Sequence, residues 1–150
     1  MSGIVESIYR ATSHREPQRC VGSARLIIDE GLEGDRYANT AGGVVSLIEA
    51  EAVEEFNRAT GLEIDPGDTG RNIVTRGIRL NPLVGKQFRI GDIQLEGIEL
   101  CEPCATLGKR LATEAVDATR VVKAFVTSAG LRAIVRGTGI INPGTTITSS

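Results

Sequence analysis

Two of the chain's three cysteines stand three residues apart, in the stretch Glu99-Leu100-Cys101-Glu102-Pro103-Cys104-Ala105-Thr106-Leu107. Four readings suit such a pair. A C-x-x-C loop can cycle between dithiol and disulfide, most readily at a helix N-terminus inside a βαβ unit. Here the motif follows a β-rich run without βαβ alternation around it, and Pro103 disfavours helical backbone at Glu102. The same spacing supplies half of a structural zinc site, which needs four ligands. The remaining soft donors are Cys20 and the single histidine, His14, and nothing in the sequence brings them to the cysteine loop, so zinc is the less favoured metal. Both cysteines can also be small buried residues near a strand end, which fits Cys101 better than Cys104. Lastly, Cys104 can act as a lone thiolate. Lys109, Arg110 and a helix starting after it would lower its pKa from about 8.5. A shift of about two units would leave it mostly ionised at neutral pH. That sulfur can carry a persulfide or ligate a soft metal.

The elements that must position this loop are mostly short strands punctuated by glycine. Ile4 to Tyr9, Ala24 to Ile28, Asn72 to Thr75, Arg132 to Val135 and Thr145 to Thr148 are β-rich runs, the last preceded by the turn Asn142-Pro143-Gly144. Gln87 to Ile90 and Ile93 to Glu96, joined by Gly91-Asp92, form a hairpin pattern. Such spacing, with eighteen glycines in the chain, predicts a barrel or sandwich: a mainly β fold with a few short peripheral helices. One helix is expected from a capping box at Ser46-Leu47-Ile48-Glu49, with Leu47, Ile48, Ala52, Val53, Phe56 and Ala59 inward and Gly61 as its stop. Its glutamates, Glu49, Glu51, Glu54 and Glu55, read as a solvated face. A second helix is expected over Thr119 to Thr127, with Val121, Val122 and Phe125 inward and Gly130 as its stop. A short third one falls around Leu107 to Leu111.

At 150 residues the chain has the size of one domain. Aromatic residues are 3% with no Trp, and the net charge is -2, which together argue against base stacking and general nucleic-acid binding. No apolar run approaches the roughly 20 residues that cross a bilayer, so no membrane partner is expected. The start, MSGIVESIYR, lacks the basic and apolar regions of an export signal. The cytoplasm is the expected compartment, where thiols stay free.

Taken in order, several stretches resemble the MOSC family, named for the C-terminal domain of molybdenum cofactor sulfurase. They are Gly31-Leu32-Glu33-Gly34-Asp35-Arg36-Tyr37, Gly42-Gly43, Gly70-Arg71-Asn72-Ile73-Val74, Leu83 to Asp92, the Cys101–Cys104 loop, and Gly130-Leu131-Arg132-Ala133 with Asn142-Pro143-Gly144. The resemblance implies a β-barrel MOSC domain over residues 1–150, its motif-bearing part about 20–148. It implies a reactive cysteine in a pocket, tied to the molybdenum cofactor (molybdopterin) or to carrying sulfur, and no pyridoxal phosphate site. Some members reduce N-hydroxylated compounds with molybdenum held by that cysteine. The matching position is Cys104, as catalytic residue and metal ligand; Cys101 is the lesser metal-ligand candidate. The chain departs from the family at Tyr37 and Ala41, where many members carry His, and at Arg71, where Glu is common.

A cofactor with a phosphate at one end and a dithiolene-held metal at the other calls for cations and N–H groups opposite a soft ligand. Arg36, Arg71, Arg76 and Arg132 are the arginines nearest the matched motifs, and guanidinium geometry suits phosphate or pterin oxygens. The cofactor-binding set is therefore Arg36, Arg71, Asn72, Gly34 and Arg132. Gly34 and Gly70 permit tight turns or close approach of a ligand, and Asp35 is expected to hold a turn. Thr106 can donate to the Cys104 sulfur or cap the helix after it, and His14 is expected to have no catalytic part. An enzyme of this kind would be a molybdenum-dependent oxidoreductase or a sulfur transferase. It would need an electron-donor or sulfur-donor protein, since no flavin, haem or iron–sulfur signature is present. The alternatives are a non-catalytic sulfur carrier acting on a protein partner, or a zinc-stabilised β-domain.

Overall fold

The computed structural model describes residues 1–13, 16–38, 42–103 and 105–149, with the backbone alone at 105 and 106. Among these residues the strands are β1 (Ser2–Arg10), β2 (Arg19–Val21), β3 (Ala24–Ile27), β4 (Gly31–Leu32) and β5 (Val44–Glu49). Helix α1 (Ala50–Thr60) follows, then β6 (Ile73–Arg76), β7 (Gln87–Ile90) and β8 (Ile93–Leu100). Helices α2 (Ala105–Leu111) and α3 (Ala118–Ala124) precede β9 (Leu131–Val135), β10 (Gly139–Ile141) and β11 (Thr146–Ser149).

Seven of these strands close a barrel in the order β1-β6-β5-β9-β8-β7-β11, with β11 pairing back onto β1. Strand β2 extends the sheet beside β1, and β10, β3 and β4 form a small separate sheet. The hairpin over Gln87 to Glu96 forms in the expected register, with Ile90 opposite Ile93 across the Gly91-Asp92 turn. Closure requires curvature, and register shifts in β1 between Val5 and Ser7 and in β8 between Gly97 and Glu99 supply it. Gly97 has no room for a side chain, because a Cβ there would lie 2.1 Å from the Leu83 carbonyl oxygen.

Alternation of side chains sorts the apolar residues into two cores. Val5, Ile8, Leu47, Ile73, Phe88, Leu95, Leu131 and Val135 fill the barrel. Ile48 and Val74, one residue further along β5 and β6, point the other way and pack with Val53, Phe56, Leu107, Val121 and Phe125 of the helices. The rings of Phe56 and Phe125 stack with centroids 4.2 Å apart, joining α1 to the segment after α3. Among the described residues no helix is long and apolar enough to cross a membrane.

Three local expectations are corrected. Ser46 to Glu49 is not a capping box but the second half of β5, hydrogen-bonded to β9 on one side and β6 on the other. Because β5 is apolar on both faces, its run into α1 mimics a helical period. The Glu49 carboxylate accepts from the Leu80 N–H at 3.0 Å instead of capping α1. Secondly, a βαβ unit is present, formed by β5, α1 and the parallel β6, though not around the cysteine motif, where β8 runs antiparallel to both β7 and β9 as expected. Thirdly, Gly130 does not stop α3, which ends at Ala124. It lets the chain pass over β5, where a Cβ would sit 2.2 Å from the Leu47 carbonyl oxygen. Gly61 does end α1 as expected, with φ 78° and its N–H donating to the Asn57 carbonyl.

The stacked phenylalanines carry much of the helical layer. Phe125→Ala is expected to lower unfolding free energy by about 3–5 kcal/mol, as burial and packing are lost together. Urea denaturation checks this: a lower midpoint at unchanged slope is expected, and Phe125→Leu should lose distinctly less.

Candidate functional site

One end of the barrel opens into a cavity of about 500 Å³. Its walls come from the loop after β4 (Arg36, Tyr37), from β5 (Val44 to Ser46), and from the turn before β6 (Thr69 to Asn72). Cys101 and Glu102 after β8, Leu107 and Arg110 of α2, and Arg132 of β9 complete it.

The loop carrying Arg36 is tied down by its neighbours. Leu32 to Asp35 make a turn, the Asp35 N–H donating to the Leu32 carbonyl at 3.1 Å, with Gly34 at φ 80° in its third position. The buried Asp35 carboxylate then accepts from the N–H groups of Ala11 and Tyr37, both at 3.2 Å. The Arg36 N–H donates to the Ala11 carbonyl at 2.7 Å. Asp35 therefore has the structural role expected of it, and Arg36 is presented from a braced loop. Arg71 is held differently: its Nε donates to the Ala129 carbonyl at 2.8 Å.

Gly70 lies where the cations meet. It ends a short helical turn at φ 79°, and its carbonyl accepts from the Gln18 side-chain amide at 3.0 Å. A Cβ there would stand 3.1 Å from Arg110 Nη1 and 3.5 Å from Arg36 Nη2. Two guanidinium heads thus converge on a stretch of bare backbone. Arg132 is neutralised by Glu99, with Nη1 to Oε1 at 2.9 Å. Among the described residues, Arg36, Arg71 and Arg110 have no carboxylate within ion-pair distance, and the cavity's acidic lining is Glu102. Arg36 Nε is moreover buried without a hydrogen-bond partner among the described residues. Like charges gathered in a cleft raise the local potential and favour an anion between them.

Asn72 makes three side-chain hydrogen bonds within the protein. Its Oδ1 accepts from the Ser46 N–H at 3.3 Å and hydroxyl at 3.2 Å, and its Nδ2 donates to the Tyr9 carbonyl at 3.2 Å. It locks β5 to β1 and fixes the turn that bears Gly70 and Arg71. Cys101 sits at the cavity with only 9% of its surface exposed. Burial pushes its thiol pKa up, opposed by Arg71 and Arg132 and reinforced by Glu99.

The structure thus brings Arg36, Arg71, Arg132, Asn72 and Cys101 to one cavity. Gly34 shapes the Arg36 loop and is not among the lining residues. Arg76 does not join the rim: it points to the outside of the barrel and pairs with Glu6 and Glu54. Cys20 is exposed on β2, away from the cavity lining. Cys104, His14 and Ala41 lie outside the described residues, as does the Thr106 side chain. Sequence reasoning did not place Arg110 in the wall. Its position in the last turn of the helix after the cysteine loop was the available signal. It also missed the part played by β5, which was read as a helix.

The family model of the MOSC domain matches residues 35–148. The chain belongs to the MOSC domain family. That family is linked to molybdenum cofactor binding. Among solved structures, the YUAD protein of Bacillus subtilis is similar at TM-score 0.84 and 18% identity, over 98% of this chain and 94% of that one. YiiM from Geobacillus stearothermophilus is similar at TM-score 0.75 and 16% identity, over 100% of this chain and 75% of that one. YiiM from Escherichia coli is similar at TM-score 0.71 and 18% identity, over 99% and 69% respectively. These likenesses show the shared fold. No curated protein matches the chain.

The donor set of the MOSC cavity fits a phosphate-bearing group with a soft metal end. Arg36 and Arg110 beside the bare Gly70 backbone suit a phosphate, and Cys101 adds a sulfur to the same lining. Within the cysteine loop Cys101 is expected to stay a thiol at neutral pH. Since its pKa is raised in the folded state, its alkylation rate, followed by peptide mass spectrometry, should rise with a midpoint above about 8.5. Arg71→Ala removes a charge that favours the thiolate, so it should move that midpoint higher still. A midpoint below the ordinary thiol range would contradict the assignment.

Proposed function

We propose that this MOSC protein binds a phosphate-bearing molybdenum–pterin cofactor in the arginine-lined cavity, with Cys104 as the reactive cysteine. The supporting observation is the collection of Arg36, Arg71 and Arg110 around one cavity with no carboxylate partner among the described residues. Guanidinium heads kept that way are ready to donate to phosphate and pterin oxygens. Glu102 and Leu107, on either side of Cys104 in the chain, both line the cavity. The ligand role is assigned to Cys104, the position that matches the family's reactive cysteine, ahead of the largely buried Cys101.

Bound there, the group would supply two-electron oxygen-atom chemistry. The chain's own part is to hold and orient. Arg36, Arg71 and Arg110 grip the anionic end, while Asn72 and Ser46 keep that wall from shifting. Cys101 lines the same cavity as a largely buried thiol. The favoured reaction class is reductive removal of oxygen from an N-hydroxylated compound. Two electrons from a separate donor protein and two protons convert the hydroxylamine to an amine and water. The expected setting is the cytoplasm.

The test is metal analysis of protein made in a cofactor-competent host. Near-stoichiometric molybdenum is expected in the wild type, with most of it lost in Cys104→Ser. Arg36→Ala combined with Arg71→Ala should weaken retention roughly ten- to a hundredfold, the scale of lost charge-assisted hydrogen bonds. A wild type free of molybdenum but heavier by one sulfur atom at Cys104 would overturn the cofactor reading in favour of a sulfur carrier. Stoichiometric zinc would mark a structural domain instead.

A further inference from the structure

Away from the cavity, two arginines face each other across a strand pair. In the antiparallel ladder of β1 and β2, Arg10 stands directly opposite Arg19. Side chains so placed share one face of the sheet with Cβ atoms about 5 Å apart, and like charges there repel. Among the described residues neither guanidinium has a carboxylate within ion-pair distance. Arg10 Nη1 donates to the Glu33 carbonyl at 3.2 Å, which holds the head in place and leaves its charge uncompensated. Both arginines line a cleft of about 340 Å³ that also takes in Thr12, Glu16 and Val21. Glu16 is turned to the Thr12 hydroxyl at 2.6 Å and pairs with neither arginine. An anion entering the cleft would relieve the repulsion between the two cations.

The strand that carries Arg19 is also open on one side. β2 ends the eight-stranded sheet, and no strand pairs with its outer edge among the described residues. Which backbone groups face that edge follows from Tyr9, the residue opposite Cys20. The Tyr9 N–H donates to the Asn72 carbonyl at 2.7 Å, and its carbonyl accepts from the Asn72 side-chain amide at 3.2 Å. Asn72 leads into β6, which lies on the opposite side of β1 from β2. Tyr9 and Cys20 are therefore a non-hydrogen-bonded pair, in which each residue turns its N–H and C=O away from the other. The Cys20 N–H and carbonyl thus point to the open edge, and neither has a partner among the described residues. An unpaired edge beside unmatched positive charge suits an extended acidic chain, which supplies both backbone partners and a carboxylate. Nucleic acid offers phosphates but no strand, and a second copy would bring its own arginine pair to the same edge. The edge adjoins the wall of the main cavity. Arg10 Nη1 lies 3.4 Å from where a Gly34 Cβ would be, and the carbonyl of the next residue, Ala11, accepts the Arg36 N–H at 2.7 Å.

We propose that β2 is a docking edge for an extended acidic segment of a protein partner, which adds as a strand beside β2, pairs with the Cys20 backbone and places a carboxylate in the Arg10–Arg19 cleft. The surface goes beyond the cofactor reading; only naming the partner as the electron donor rests on that reading. The test uses the purified chain and two short dye-labelled peptides with valine at alternate positions, one carrying glutamates between them and the other lysines. By fluorescence anisotropy the glutamate peptide is expected to bind at least about tenfold tighter than the lysine peptide, and Arg19→Glu should remove that advantage. Arg19 is exposed, so the variant should melt with the wild type. Strand addition has a signature that diffuse charge attraction lacks: hydrogen exchange of the Cys20 amide, followed by NMR, should slow in the complex. Equal binding of the two peptides, no binding of either, an advantage kept in Arg19→Glu, or a Cys20 amide left unprotected would each overturn the proposal. An oligothymidylate that binds as tightly as the glutamate peptide would mark a general polyanion surface and overturn it as well. So would a wild type that sediments as a dimer with its Cys20 amide already protected, which would give the edge to a second copy. None of these measurements involves the cofactor. Failure of molybdenum loading would strike the cofactor reading alone and leave the docking edge standing.

Discussion

The buried amide of Asn72 is the contact on which the geometry of the cavity depends. Its oxygen takes both the N–H and the hydroxyl of Ser46 in β5, and its nitrogen reaches the Tyr9 carbonyl in β1. Those bonds span a barrel that must close tightly and yet leave its mouth open. They also fix the two residues just before Asn72, so Gly70 and Arg71 have one place to be. The Arg71 side chain then reaches across to the Ala129 carbonyl, and the neighbouring Gly130 carbonyl takes the Cys101 N–H at 2.8 Å. A single buried side chain thereby sets the spacing between the cationic wall and the cysteine loop.

The arginines follow a simple electrostatic division. Arg76 and Arg132 are matched to carboxylates, as surface guanidiniums commonly are. Arg36, Arg71 and Arg110 use backbone carbonyls or ring faces instead: Arg71 the Ala129 carbonyl, Arg36 the face of Tyr37 with 5.1 Å from guanidinium carbon to ring centroid. Such contacts hold a guanidinium in position while leaving its charge uncompensated. Glycine at position 70 completes the arrangement, since any side chain would occupy the space the two cations share. Tyr37 thus lines the cavity and supports a cation.

Much of the barrel was legible in the sequence because one-sided strands announce themselves by alternation. The hairpin from Gln87 to Glu96 and the strand ending at Val135 show it, each with one face in the core. Strand β5 was illegible for the opposite reason: with Val45 and Leu47 in the barrel and Ile48 under the helices, both faces are apolar and the period of two disappears. At Gly130 the sequence showed a glycine after a helix, but its cause is a passing carbonyl of β5, a long-range fact. The site was legible in part. Arg36 and Arg71 stood out within glycine-flanked motifs, whereas Arg110 offered only its place in the helix after the cysteine loop, and whether an arginine meets a carboxylate, as Arg76 does, depends on elements far apart in the chain.

The central claim is that Arg36, Arg71 and Arg110, which line one cavity, hold an anion there. Nitrogen-edited NMR of the arginine side chains, with phosphate titrated at constant ionic strength, tests it most directly. Saturable shifts of the Arg36 and Arg71 Nε–H signals, with that of Arg76 unmoved, are the result this account predicts. Arg36 and Arg71 signals that stay put, or that drift together with that of Arg76 without saturating, would contradict it.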